Sequence, residues 1–384
     1  MDYGPLRPLL RELTDDDGID LQLLVTGMHL SPEFGLTIRE IETDGFPIAE
    51  RVEILLSSDT PVGTAKSMGL GLIGFAEAFQ RLTPDIVVCQ GDRYEIFCAA
   101  AAALITRIPV AHIGGGDITE GAFDDALRHA ISKMSHLHFV ALEEHRQRLL
   151  QMGEDPAHVF RVGELGLDTI AQMEPLSREA LENQLGITFQ PRNLLVTFHP
   201  ATLDDEPAEQ QFQILLKVLA ELPDTGIVFT KVNADPAGRA INRLIDRFVA
   251  AHPATAAAFH SLGSLQYLSL MRQVDAVVGN SSSGIVEAPS LGIGTINIGS
   301  RQQGRLQAAS IISCPPRPEP LRRAFATLYS PAFQARLKEV VNPYGDGRAA
   351  PRIARLLREI SLDGILWKRF HPFPPAPPAD TAEN

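Results

Sequence analysis

The stretch Asp85–His138, DIVVCQGDRYEIFCAAAAALITRIPVAHIGGGDITEGAFDDALRHAISKMSHLH, decides the fold. Residues 85–91 form a short apolar run closed by glycine, the pattern of a buried strand. Residues 93–106 are rich in alanine and other strong helix formers. A second apolar run, residues 110–113, opens onto Gly114, Gly115 and Gly116, and a helix is expected from about Asp124. Strand, helix, strand, glycine loop and helix in succession are the grammar of a parallel α/β sheet. Asp92, Arg93, His112, Asp117, Glu120, Asp124, Asp125, Arg128 and His129 fall at strand ends and on the loops beyond, where such sheets keep their ligands.

Outward from this stretch, composition narrows the possibilities. The 384 residues suffice for two domains, and 45% hydrophobic content supplies their cores. A formal net charge of -13 argues against general affinity for nucleic acid. Cys89, Cys98 and Cys314 have neither paired nor metal-like spacing, so a reducing cytoplasm is expected and no metal site. The apolar run 98–105 is too short to span a bilayer, and no membrane partner is expected.

The chain enters a helix almost at once, with Leu6, Leu9, Leu10 and Leu13 on one face. Strands are expected at 21–27 and 51–57, with the long connection 28–46 between them. A helix over 64–82 precedes the organising stretch. A strand at 137–142, a helix at 143–152 and a strand at 159–162 complete a first domain of residues 1–173. The pattern restarts in a second domain, residues 174–350. Its strands are expected at 193–198, 226–230, 255–260, 276–279, 295–298 and 309–314, with helices between, among them 285–291. A closing helix within 351–370 is expected to cross back to the first domain. The proline-rich tail 371–384 is expected to be disordered. Trp367 is expected to anchor a helix end. The fold class is therefore α/β: two Rossmann-like domains facing across a cleft.

Each candidate site residue has a functional and a structural reading. Asn280, Ser281 and Ser282 follow a strand and precede a helix, where hydroxyls and amides suit a phosphate; a serine there equally suits a plain helix cap. Glu287, in the next turn, suits either the helix start or two ribose hydroxyls. His199 ends a strand as a proton shuttle, a diphosphate contact or a buried structural histidine. Arg301 and Arg305 form a phosphate clamp or a plain basic surface. Asp92 closes a strand in apolar surroundings, where an unpaired carboxylate is costly, and Arg93 is its nearest partner in sequence. Asp117, Asp124 and Asp125 crowd the glycine loop; one of the last two is expected to cap the helix. Neighbouring carboxylates with separated pKa values divide acid and base roles.

The segments VTGMHLSPEFGLT (Val25–Thr37), GDRYE (Gly91–Glu95), HIGGGDITEGAFDDALRHAISKMSHLHF (His112–Phe139), FHP (Phe198–Pro200), GNSSSGIVEAPSLG (Gly279–Gly292) and INIGSRQQGR (Ile296–Arg305) stand in one order. Together they resemble the UDP-N-acetylglucosamine 2-epimerases, above all the hydrolysing branch of sialic and related nonulosonic acid synthesis. The resemblance implies the GT-B arrangement, with UDP-GlcNAc in the cleft. It implies phosphate binding by Ser281 and Ser282, ribose binding by Glu287, and diphosphate contact by His199. Arg301 and Arg305 would close on the nucleotide side, and Asp92, Asp117 and one of Asp124 and Asp125 would transfer protons. The resemblance also implies the family's reaction, in which UDP is eliminated across C1–C2 to a 2-acetamidoglucal, water then adds and N-acetylmannosamine leaves. No redox cofactor is called for, and no nicotinamide fingerprint is present. A homodimer or homotetramer is the family's expectation.

Family members open with a strand and a threonine-glycine-threonine-arginine-like turn that this sequence lacks before Asp2. The expectation is that the natural start lies upstream. Without that central strand, two rows of backbone groups are left unpaired. The alternative activities are hydrolysing 2-epimerisation of UDP-N,N'-diacetylbacillosamine, with selectivity placed in residues 28–46, the non-hydrolysing epimerisation, and UDP-sugar binding without turnover. A glycosyltransferase of the same fold would need an acceptor.

Overall fold

A computed structural model describes residues 3–32, 35–56, 60–119, 123–200, 207–232 and 236–372. Glu120 and nearly all of the proline-rich tail lie outside the described residues. The chain divides into two compact units. One holds the chain up to Asp117, Phe123–Leu165 and the segment from Ala349 onward; the other holds Ile118, Thr119 and Gly166–Arg348.

The first unit contains β1 (Leu23–Thr26), β2 (Ile48–Val52), β3 (Val87–Gln90), β4 (Val110–Ile113), β5 (Leu137–Val140) and β6 (Val159–Arg161). Its helices are α1 (Tyr3–Thr14), α2 (Ile38–Thr43), α3 (Pro61–Leu82), α4 (Tyr94–Ile105), α5 (Asp124–Met134) and α6 (Glu143–Gln151). All pairings are parallel. The strands β3-β4-β5-β6 form one sheet in that order, and β1 pairs with β2 in another. Among the described residues no ladder joins β1 to β3, so each has one strand neighbour. The long connection after β1 is not open loop: Ile38 and Ile41 of α2, with Phe46, pack on Tyr3, Leu10 and Val25.

Local chemistry sets the helix ends. Thr60 accepts a hydrogen bond from the Gly63 amide at 3.0 Å, Pro61 pre-sets the first turn, and α3 stops at left-handed Thr83. The alanines of α4 permit close approach to α3, where a Cβ on Gly71 would lie 3.2 Å from that of Cys98. Beneath the sheet, Leu9 and Leu13 of α1 meet Ala111, Ile113, Leu137 and Phe139.

The second unit is a six-stranded parallel sheet. Its strands are β7 (Arg192–Thr197), β8 (Thr225–Thr230), β9 (Ala256–Phe259), β10 (Ala276–Gly279), β11 (Gly294–Ile298) and β12 (Ile311–Cys314), ordered β12-β11-β10-β7-β8-β9. The helices are α7 (Gly166–Gln172), α8 (Arg178–Leu185), α9 (Ala208–Leu219), α10 (Pro236–Ala251), α11 (Gly263–Gln273), α12 (Ser283–Val286), α13 (Pro318–Leu328) and α14 (Pro331–Leu337). Phe198, Phe212, Phe229 and Phe248 form a chain of ring contacts through its core, with centroids 5.5, 6.4 and 5.6 Å apart. Each such side chain contributes roughly 2–3 kcal/mol of burial. The helix expected over 285–291 is broken: α12 ends at Val286, and a 3₁₀ turn, Ala288–Leu291, follows with Pro289 in it.

The last helix, α15 (Ala349–Glu359), belongs to the first unit. There Ala350 and Ile353 join the core of Leu9 and Leu13. Beyond it, Lys368 Nζ donates to the carbonyls of Lys133 and Ser135, at 2.9 and 2.6 Å, and lies 2.6 Å from buried Glu154. The C-terminal end of α5 is thereby capped by a cation. Trp367 is 82% exposed rather than packed as the expected anchor; Lys368 makes the contacts to α5 instead. Cys89 and Cys98 are buried and unbridged, and burial pushes the Cys98 thiol up to about 11. Among the described residues no helix is long and apolar enough to cross a membrane.

Candidate active site

In the first unit the carboxylates gather around one buried arginine. Arg128 of α5, 6% exposed, forms an ion pair with Asp92 and lies 3.3 Å from Asp125. Asp125 also lies 3.5 Å from His129. Arg93 is not the partner of Asp92: its guanidinium turns to Glu95, with Nη2–Oε1 at 2.9 Å and Nε–Oε2 at 3.1 Å. One turn of helix separates Asp125 from Arg128, which brings both to one face. Asp92 is reached across the end of the sheet.

Asp124 and Asp125 are not equivalent. Burial pushes the Asp124 carboxyl above the usual range, and the charge of nearby Asp92 adds to the rise. Asp125 is taken up by Arg128 and His129. Neither caps the helix; Phe123 is the cap residue and supplies no side-chain bond. A carboxyl biased toward its protonated form is thus followed in the chain by one ion-paired with a guanidinium.

His112 holds the frame beneath them. It is fully buried in β4, with Nδ1 3.0 Å from Ser132 Oγ of α5 and Nε2 2.9 Å from the Gly91 carbonyl. It thus fixes the residue before Asp92 to the helix that carries Asp124, Asp125 and Arg128. Burial lowers its pKa from 6.5 to about 3. Its folded pKa is depressed, so stability is present above about pH 6.5 and is lost as pH falls, because the unfolded chain takes up the proton. Between pH 7.5 and 5 this one group should cost the fold about 2 kcal/mol. In denaturant titrations, His112→Asn should therefore show an acid loss smaller than that of the parent by this amount. Equal losses would refute the assignment.

Asp117, beyond the three glycines, lies 3.3 Å from His145 Nε2 of α6. His145 was not legible in the sequence, because nothing local ties a residue of α6 to the glycine loop.

In the second unit Asn280 is a clamp and offers its amide to the protein itself. Its Oδ1 accepts from the His199 amide at 2.7 Å, and its Nδ2 donates to the His199 carbonyl at 2.8 Å. Its own carbonyl accepts from Arg301 Nη1 at 2.8 Å and Gln302 Nε2 at 2.9 Å. One buried asparagine thus fixes the His199 backbone and the Arg301 guanidinium. Ser282 precedes α12 without a side-chain cap; Ser281 Oγ instead lies 3.3 Å from the Ser283 amide.

Glu287 follows α12. Burial raises its carboxyl pKa, against a bond from Ser283 and the charge of Arg305. Its Oε2 is buried without a partner among the described residues. Burial pushes the Tyr267 hydroxyl up to about 12, with the Glu287 charge adding to it and Ser283, Thr197 and Ser281 hydroxyls bonding it. Tyr267 is the second residue that sequence reading missed. Arg301 is lowered by burial and by the positive charge of Arg305. Two guanidinium groups that repel each other, with a cluster of hydroxyls and an unsatisfied carboxylate oxygen in the same unit, are suited to a ligand carrying anionic groups and vicinal hydroxyls. Among the described residues no three His, Cys, Asp or Glu side chains gather as metal ligands.

Two parallel α/β units, one with carboxylates at its strand ends and one with hydroxyls and arginines, define the GT-B-like class of nucleotide-sugar enzymes. The profile of the family described as UDP-N-acetylglucosamine 2-epimerase matches residues 11–358, and the chain belongs to that family. It is 43% identical over 366 residues, 95% of this chain and 94% of the other, to the GDP/UDP-N,N'-diacetylbacillosamine 2-epimerase (hydrolyzing) of Campylobacter jejuni. Identity is 36% over 372 residues, 97% of each chain, to the UDP-N,N'-diacetylbacillosamine 2-epimerase (hydrolyzing) of Legionella pneumophila. The crystal structure of UDP-GlcNAc 2-epimerase from Neisseria meningitidis bound to UDP-GlcNAc shares the fold, with a TM-score of 0.71 at 19% identity, covering 92% of this chain and 96% of that one.

Proposed function

We propose that this epimerase is hydrolysing and acts on UDP-N,N'-diacetylbacillosamine, releasing UDP and the 2-epimeric free sugar. The observation that carries the reading is near-full-length identity of 43% and 36% to two hydrolysing enzymes named for that sugar. UDP-GlcNAc, the substrate first expected from the resemblance, is the second reading, supported by family membership.

The residues divide the work as their surroundings allow. Asp92, paired with Arg128, removes the weakly acidic proton at C2 as the C1–O bond lengthens. Asp124, biased toward its protonated form, supplies a proton, and Asp117 serves the second proton transfer. Arg301 and Arg305 stabilise the departing diphosphate, assisted by Ser281 and Ser282, with His199 held beside them by Asn280. Glu287, with its unsatisfied Oε2, takes the ribose hydroxyls.

Self-association as a dimer or tetramer is part of this reading. Val62, Leu70 and Ile73 make an exposed apolar stripe on α3, and light scattering after Ile73→Glu should report a smaller species if that stripe is the interface. The buried, unbridged thiols support a reducing compartment.

The deciding assay offers each UDP-sugar separately and measures free UDP together with the released sugar. A hydrogen-bonding group matched to the 4-acetamido substituent should favour the diacetylated substrate by about 100-fold in kcat/KM. Equal or better turnover of UDP-GlcNAc would reverse the choice of substrate. UDP release from neither would overturn the hydrolysing activity.

A further inference from the structure

The glycine loop is sealed against α6 by three contacts. Arg148 Nη1 donates to the Gly116 carbonyl at 2.7 Å. Gly116 adopts φ +75°, and a Cβ there would stand 2.3 Å from the His145 carbonyl oxygen, so only glycine admits this approach. The His145 imidazole, 6% exposed, places Nε2 3.3 Å from Asp117 Oδ1. Its other nitrogen, Nδ1, is buried without a partner among the described residues. A buried ring with one polar neighbour keeps its proton on the nitrogen facing that neighbour, here Nε2 toward the carboxylate.

We infer that His145 is a positioning residue for Asp117: it holds one carboxylate oxygen and stabilises its charge, and so sets the pH at which Asp117 exchanges a proton with the sugar. The inference rests on the reading of Asp117 as a proton-transfer group. The other charged groups nearby have their own engagements. Arg148, on the same helix, is turned to the Gly116 carbonyl. On the strands packed against α6, His138 of β5 faces Glu154, and Arg161 of β6 acts on Glu143. Among the described residues, Asp117 is the carboxylate that faces His145.

Two measurements test this. In the first, pH profiles of kcat/KM are recorded for the parent, His145→Phe and His145→Gln. The phenylalanine keeps the ring volume and removes the donor, whereas the glutamine restores an N–H. His145→Phe should move the acidic limb up by about one pH unit and lower kcat about tenfold, with KM little changed, as expected for loss of one charge-assisted bond. His145→Gln should recover most of both. An unmoved limb in His145→Phe, or no recovery in His145→Gln, would overturn the inference. The second measurement needs no turnover. The imidazole nitrogen resonances that His145→Phe removes are recorded by NMR in the parent and in Asp117→Asn. Loss of the carboxylate should shift the Nε2 resonance and speed exchange of its proton with solvent. Unchanged resonances would show that the pair is not bonded, whether or not the protein releases UDP.

Discussion

Asp124→Asn should lower kcat by about two to four orders of magnitude, the range for removing a positioned general acid. The carboxyl is held above its usual range by burial first and by the charge of Asp92 second. It therefore keeps a proton where an ordinary carboxylate has lost it. Activity that depends on this proton is present below the raised pKa and declines as pH climbs through it, so Asp124 should govern the alkaline limb of the kcat profile. The substitution should also raise the melting temperature by a few degrees. A carboxyl whose folded pKa exceeds its unfolded pKa costs stability above the unfolded value, and an amide removes that cost. Asp125→Asn provides the contrast. Asp125 lies 3.3 Å from Arg128 and 3.5 Å from His129, so its loss should loosen the arginine and reduce kcat by about tenfold. UDP release by the two variants decides the matter: if Asp125→Asn is the more damaged, the assignment of the acid is reversed.

Gly279→Ala should destabilise the second unit by about 3–5 kcal/mol, combining left-handed strain with overpacking against backbone. Gly279 closes β10 at φ +134°, opposite Thr197 of β7. A Cβ there would lie 1.9 Å from the Thr197 carbonyl oxygen and 2.7 Å from its carbon. Both belong to a central strand that cannot retreat. The strand ends would part, and with them the Asn280 amide bond to the Thr197 carbonyl and the reciprocal Asn280–His199 clamp. Gly304→Ala is the control. Its φ is also positive, at +85°, but nothing lies within 4 Å, so strain of about 1 kcal/mol is the whole cost. Thermal unfolding should show the difference as a loss of several degrees more for Gly279→Ala. Similar losses would mean that the close approach of the strands carries little energy.

Strand and helix periodicity in Asp85–His138 was legible because it is local: alternation, alanine content and glycine punctuation act within a few residues. The ends of α3, α4 and α6 and the start of α5 fall within a few residues of their expected places for that reason. The positions of the acidic candidates at strand ends were legible too, since a strand that stops at glycine must hand its next residue to the loop. Partners were not legible. Sequence proximity assigned Arg93 to Asp92, whereas the sheet delivers Arg128, 36 residues away. Proximity placed Asn280 with Ser281 and Ser282, whereas strand order sets β10 beside β7 and commits its amide to His199, 81 residues earlier. The same order brings Tyr267 to the serines, and the fold of the glycine loop brings His145 to Asp117. Composition and pattern determined that this chain makes parallel α/β units with carboxylates at one set of strand ends and hydroxyls and arginines at another. Which carboxyl keeps its proton and which is held charged was decided only by tertiary structure, because burial and ion pairing depend on neighbours that the chain supplies from a distance.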